Sequence, residues 1–372
     1  MKIIKRMALL LSLFFCFSAS GCGDLLSGGY KPGESGNAGN GTQTEGSAEG
    51  VGSQDNTGGD TQTGTSDGTQ TGTVAGGTGS SDGDTVYEVT YYEDGQQVSV
   101  LSVDAGETAT NLTREDKGFY DFDGWCTDSA CTNFYDFTRP VQSNLSLYAS
   151  YRLNYVELTE EVTSVSMKGM VTVYSQYITS TWESKTSLGS GVIYALKSGV
   201  YYLLTNNHVV SSVKEATEAG RAGSYTVHDY GGIEYAGTLV ASDSDYDLAV
   251  IKFSMKSNRA LGVFSFADAN PAVGDDVVAL GSPLGQYNAL TYGKVLGYAN
   301  CKVNDTTSTI PFQCVKHDAW ITNGSSGGAL LNTDLEIVGV NFAVSETDAG
   351  EHVYSWTVPL LKVKEYLSVN GL

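Results

Sequence analysis

Three short stretches of this chain carry residues able to do acyl-transfer chemistry. Ser326 lies in Gly324-Ser325-Ser326-Gly327-Gly328, followed by the strand-like Ala329-Leu330-Leu331. A serine hydroxyl is a weak nucleophile at its own pKa and needs a base beside it. The flanking glycines let the backbone turn sharply and bring its N–H groups near a substrate carbonyl. The amides of Gly324 and Ser326 are then donors for an oxyanion. By itself such a Gly/Ser-rich turn is also an ordinary hairpin signal. A base is on offer in Tyr201-Tyr202-Leu203-Leu204-Thr205-Asn206-Asn207-His208-Val209-Val210, an apolar strand running into one of only four histidines. An acid is on offer in Asp243-Ser244-Asp245-Tyr246-Asp247-Leu248-Ala249-Val250-Ile251, a polar turn leading into an apolar strand.

The order His, Asp, Ser, with these neighbours, resembles the trypsin-like serine proteases, specifically the bacterial high-temperature-requirement (HtrA/Deg) branch. That branch carries a TNNHVV strand end, a DLAV segment, a GNPLG-like turn and a GNSGG loop. Here the matching segments are Thr205-Asn206-Asn207-His208-Val209-Val210, Asp247-Leu248-Ala249-Val250, Gly281-Ser282-Pro283-Leu284-Gly285 and Gly324-Ser325-Ser326-Gly327-Gly328. Gly189-Ser190-Gly191-Val192-Ile193 ahead of the histidine also fits. The resemblance covers residues 160–368 and implies a role for each part. Ser326 attacks a peptide carbonyl. His208 takes the serine proton and returns it to the leaving amine. Asp247 orients the imidazole. Gly324 and Ser326 N–H groups form the oxyanion hole. Asp243 and Asp245 are rival acids with the character of turn residues, and Asp318 matches a structural position.

The same resemblance places a substrate pocket at Trp320, Ile321, Asn341 and Phe342. Trp320, six residues before the nucleophile, falls at the pocket base, where its ring would shorten the pocket. No Asp stands there, so a Lys or Arg preference has no support. Thr322-Asn323, Ser325 and Ala329 depart from the branch's usual residues around the oxyanion loop. Polypeptide substrates are implied, with no cofactor and no metal. The branch often forms trimers, though no residue here demonstrates one. It also often continues into PDZ domains, and none follows the helical pattern Pro359–Leu367.

The elements that must hold these residues read as β-strands. From Tyr155 to Leu372 short apolar runs alternate with polar turns, among them Val162–Tyr174, Val200–Thr205, Leu248–Phe253, Asp276–Leu280 and Ile337–Phe342. About eleven such runs indicate an all-β fold. The resemblance makes this a two-barrel chymotrypsin/trypsin-like domain over 155–372. Helical spacing is confined to Pro359–Leu367 and a turn at Val213–Ala219.

The N-terminal part has a different composition. Met1–Ser20 has a basic start and an apolar run from Met7 to Phe17, the pattern of a secretory signal. That run is shorter than the roughly 20 residues a spanning helix takes. Ala19-Ser20-Gly21-Cys22 resembles the bacterial lipobox, which assigns 1–21 to a lipoprotein signal, Cys22 to lipidation, and a lipid anchor to the outer face of the cell membrane. Residues 22–84 are almost wholly Gly, Ser, Thr, Asn, Gln, Asp and Glu, too poor in apolar surface to offset their ordering entropy, and read as a linker.

Residues 85–154 alternate as strands around the turn signal Asp94-Gly95. Gly118-Phe119-Tyr120-Asp121-Phe122-Asp123-Gly124-Trp125, Tyr135-Asp136-Phe137 and Leu147-Tyr148-Ala149-Ser150-Tyr151 resemble the internalin-type B repeat, a small β-grasp-like module. Of six cysteines, Cys126, Cys131, Cys301 and Cys314 remain as disulfide candidates, since export permits oxidation. Local pairing, Cys126 with Cys131 and Cys301 with Cys314, is the simplest of three connectivities. The net charge of −21, with no basic cluster, argues against a nucleic-acid partner. The leading expectation is a surface-anchored serine endopeptidase. The rival is an adhesion or binding lipoprotein whose protease fold is inactive.

Overall fold

The computed structural model describes residues 85–255, 260–282, 289–302, 309–347 and 349–372. The signal segment, Cys22, the 22–84 linker and Pro283-Leu284-Gly285 lie outside the described residues.

The repeat is a four-stranded sheet. Strands β1 (Val86–Glu93) and β2 (Gln96–Asp104) form an antiparallel hairpin, and β1 pairs in parallel with β4 (Leu145–Leu153), which pairs with β3 (Tyr120–Cys126). The order is therefore β2-β1-β4-β3. The hairpin turn works because Asp94 and Gly95 both take positive φ, 50° and 74°, as a two-residue turn matched to strand twist requires. Trp125 is buried at the centre and packs edge-on against Tyr91 at 4.8 Å. Its indole N–H donates to Leu112 O at 2.6 Å, so the ring fills the core with its polar atom satisfied.

Helix α1 (Tyr155–Ser164) follows at once, capped by the Asn154 side chain, which accepts from the Glu157 N–H. A short 3-10 turn, Ser166–Gly169, leads into β5 (Met170–Ile178). The strand expected over Val162–Tyr174 is thus helical in its first half. Leu158 and Val162, four residues apart, face one core, which is a helix spacing.

Two closed six-stranded barrels complete the chain. The first contains β5, β6 (Ser184–Lys197), β7 (Val200–Thr205), β8 (Gly223–Asp229), β9 (Glu234–Asp243) and β10 (Leu248–Ser254), in the order β10-β7-β6-β5-β8-β9. Helix α2 (Asn207–Glu218) leaves the end of β7. It is longer than the turn expected at Val213–Ala219 and starts before the histidine. The second barrel contains β11 (Asp276–Gly281), β12 (Ala289–Lys302), β13 (Thr309–His317), β14 (Ala329–Leu331), β15 (Ile337–Glu346) and β16 (His352–Pro359), in the order β11-β12-β13-β16-β15-β14. Helix α3 (Leu360–Val369) closes it.

One apolar core joins the barrels, with Leu204 and Leu248 from the first, Leu280 and Val340 from the second, and Tyr366 from α3. The described residues from 85 to 372 fall in one compact unit. Leu153 of the repeat is 9% exposed and belongs to that shared core, and Tyr120 Oη donates to Asp276 Oδ2 at 2.9 Å.

Cys126, Cys131, Cys301 and Cys314 are free thiols in the structure, rather than the two disulfides expected. Each expected pair is still adjacent. The Cys131 thiol donates to Tyr148 O at 3.7 Å, on the strand residue paired with Cys126, and the Cys314 thiol donates to Phe312 O at 3.8 Å. Burial pushes Cys126, Cys301 and Cys314 up to about 12. They stay protonated at neutral pH, and the thiolate is the form that exchanges.

Candidate active site

The cleft lies where the two barrels meet and encloses about 550 Å³. The first barrel supplies the base and the acid. Because α2 starts at Asn207, His208 sits in its first turn, where backbone N–H groups have no intrahelical partner. Asp247 supplies one: its Oδ1 accepts the His208 N–H at 2.9 Å. Its Oδ2 lies 2.7 Å from His208 Nδ1. One carboxylate therefore caps the helix, where the dipole favours negative charge, and fixes the imidazole.

Asp247 reaches this position through a left-handed backbone, φ 48°, a conformation Asp tolerates better than most residues. Asn206 Nδ2 donates to the Asp247 carbonyl at 2.8 Å and steadies that turn. Asp243 instead accepts from the Asp245 and Tyr246 N–H groups, the pattern of a turn residue. Asp245 lines the cleft but makes no bond to the imidazole.

The second barrel supplies the nucleophile loop. The Ser325 N–H donates to Thr322 O at 2.9 Å with Gly324 at φ 96°, a type II turn that needs a glycine at that point. Among the described residues, the N–H groups of Gly324 and Ser326 have no protein partner and are left free as oxyanion donors.

Ser190 of β6 braces the loop. Its N–H donates to Ser326 O at 2.7 Å, its hydroxyl donates to Gly324 O at 2.6 Å, and that hydroxyl accepts from the Ser282 N–H at 2.7 Å. Thr205 Oγ1 donates to Ser190 O at 2.7 Å. Three of the sequence motifs thus converge on one serine whose role the sequence reading missed. Its signal was the Gly-Ser-Gly run before the histidine.

His208 and Ser326 line the same cleft, but the Ser326 hydroxyl donates to Phe342 O at 3.3 Å rather than to the imidazole. In unliganded sites this catalytic bond is often unmade and tightens on substrate binding.

The expected pocket residues divide. Ile321 and Phe342 line the cleft. Trp320 does not: it is 59% exposed, 6.5 Å from the His352 ring, so it cannot shorten the pocket. Asn341 does not line it either. Its side chain is buried between Thr357 and Ala329 O. Ile310, Pro311, Ala343 and Val344 complete the apolar walls and were missed, because they come from β13 and β15, distant in sequence from Ser326. Asp318 is structural, its carboxylate accepting from the Lys294 N–H at 2.5 Å. No cluster able to hold a metal occurs among the described residues.

Two barrels with His, Asp and Ser at their junction define a trypsin-like architecture, and residues 189–340 match the trypsin-like peptidase domain. Residues 87–150 match the Listeria-Bacteroides repeat domain. The chain therefore carries a trypsin-like peptidase domain behind one such repeat. Its similar proteins include the serine protease Do-like HtrA of Bacillus subtilis strain 168, 36% identical over 171 residues, 45% of this chain and 36% of that protein. A probable periplasmic serine protease do/HhoA-like of Haemophilus influenzae is 33% identical over 46% of this chain and 34% of its own length. The match spans about a third of the length of these relatives. A solved HtrA-type protease with a tripeptide superposes at TM-score 0.45 and 25% identity, over 57% of this chain and 62% of that one.

Proposed function

We propose that this chain is a serine endopeptidase of the HtrA type that hydrolyses exposed or unfolded polypeptide outside the cytoplasm. The observation that carries the reading is the Asp247–His208 pair facing Ser326 in one cleft, beside two N–H groups free to hold an oxyanion. Ser326 attacks the scissile carbonyl. His208 takes the hydroxyl proton at Nε2, the nitrogen left free by Asp247, and returns it to the departing amine. The oxyanion forms against the Gly324 and Ser326 amides. The apolar walls, Ile321, Phe342 and Val344, suit an uncharged aliphatic side chain before the cleaved bond.

The deciding test is labelling of the purified full chain with a fluorophosphonate serine probe, with unfolded casein digestion in parallel. The expected result is labelling and digestion in the wild type and neither in Ser326→Ala. A folded wild type that does neither would favour the rival, a binding protein with an idle protease fold.

The lipobox resemblance supports anchoring at Cys22. Incorporation of an alkyne fatty acid by the wild type but not by Cys22→Ser would support it, and equal incorporation would refute it. Trimer formation is a further proposal, and a monomer mass in sedimentation would remove it.

A further inference from the structure

His317 ends β13 and is wholly buried, yet no step of the proposed chemistry uses it. Its Nε2 lies 2.9 Å from the Thr357 hydroxyl, and its Nδ1 has no partner among the described residues. The proton positions along this chain follow by elimination. Asn341 Nδ2 donates to Ala329 O at 3.0 Å, so the amide is fixed with Oδ1 toward Thr357. That oxygen has only lone pairs, so the Thr357 hydroxyl donates to it, at 2.6 Å. A hydroxyl has one proton to give. His317 must therefore donate to Thr357 through Nε2–H, which leaves Nδ1 a bare lone pair in the core. Burial pushes this imidazole down to about 3, with Asp318 and the nearby Ala319 backbone opposing, so the ring is neutral, while Nδ1 makes no hydrogen bond of acceptable geometry among the described residues. An unpartnered buried nitrogen costs stability that an apolar side chain would not. What histidine adds at this position is the Nε2–H.

That donor is two residues removed from the nucleophile loop. The Asn341 carbonyl accepts the Gly327 N–H at 2.8 Å, and the Asn341 N–H donates to Gly328 O at 2.9 Å. These two bonds clamp the residues that follow Ser326, and the Ser326 hydroxyl itself rests on the next carbonyl, Phe342 O. The residue whose side chain Thr357 fixes thus carries that clamp on its backbone. We propose that His317 is a positioning residue, which through Thr357 and Asn341 holds the Ser326 loop in register with His208 and the oxyanion donors. This rests on the reading of Ser326 as the nucleophile.

The test uses the full chain in detergent, with His317→Phe, His317→Asn, His317→Gln and Thr357→Val. A Gln amide nitrogen can stand near the imidazole Nε2, whereas an Asn amide nitrogen stands near Nδ1. Active-site titration with a fluorophosphonate counts competent sites, and kcat and KM per titrated site are then measured on a casein-derived peptide. In the Phe and Asn variants kcat per site should fall about tenfold with KM within about twofold, since a sub-ångström shift of reacting groups acts on rate. Gln should restore most of the loss. An unchanged kcat per site in the Phe variant, even with a lowered melting temperature, would mean a purely structural residue and overturn the proposal. So would equal impairment in Phe, Asn and Gln. If the Phe variant yields no titratable sites, Thr357→Val decides: the same loss per site supports the link, and wild-type kcat refutes it. A wild type that neither titrates nor cleaves would instead remove the nucleophile reading, and the proposal with it.

Discussion

Asp247 holds two donors of His208 at once, the ring Nδ1–H and the helix-starting backbone N–H. Asp247→Asn should therefore leave the fold in place. The amide's NH2 group would face Nδ1 and force the proton to Nε2, where it cannot accept from Ser326. A loss of about three to four orders of magnitude in kcat is expected, measured against titrated sites at pH 7.5. A second residue-scale prediction concerns acid. His317 is held at about 3 in the fold against 6.5 as its ordinary value. The unfolded chain therefore binds that proton more readily. The folded state keeps its full advantage above about pH 6.5 and loses it as pH falls toward 3. His317→Gln should flatten the fall in melting temperature between pH 6.5 and 4. An unchanged slope would show that the ring does not titrate as described.

At the scale of elements, the catalytic loop is held by a strand of the other barrel. Ser190 in β6 bonds to Ser326 O, Gly324 O and the Ser282 N–H. Ser190→Ala would leave the Gly324 carbonyl and the Ser282 N–H without that hydroxyl, at a cost of about 1–3 kcal/mol. Casein cleavage should fall by about tenfold or more while the barrels stay folded by circular dichroism. Full activity would mean that the loop keeps its shape without the brace. Gly327 is stricter. Its φ is 87°, and a Cβ there would overlap Ser190 O, so Gly327→Ala should abolish labelling of Ser326. Helix α1 shows how an element can be misjudged. Asn154 followed by Glu157 is a capping pattern, but the apolar run after Val162 continues into β5 and masks it.

The whole molecule places the repeat as a structural part of the protease unit. Leu153 sits in the core shared by both barrels, and Tyr120 reaches Asp276 of β11. Leu153→Ala should cost about 2–5 kcal/mol. Urea unfolding followed by Trp125 in the repeat and by casein activity should move together. Two separate transitions, only one of them shifted, would show instead that the repeat is an independent spacer.

The sequence alone determined the strand-rich character, the hairpin and the candidates His208, Asp247 and Ser326, and the resemblance of its motifs implied the two barrels and the repeat. Each is written in local patterns: alternating apolar runs, a turn dipeptide, a histidine closing a strand, glycines around a serine. The cleft wall was not legible in the same way. Ile310 and Val344 become neighbours of Ile321 only when β13 and β15 close the second barrel, while Trp320 is left exposed and the Asn341 side chain is taken up by buried hydrogen bonds. The brace at Ser190 and the chain from His317 to Asn341 join residues 134 and 40 positions from their partners. Local sequence sets what a segment can form, but such bonds exist only once closure of the barrels brings distant strands to hydrogen-bonding distance, and there the tertiary structure decided.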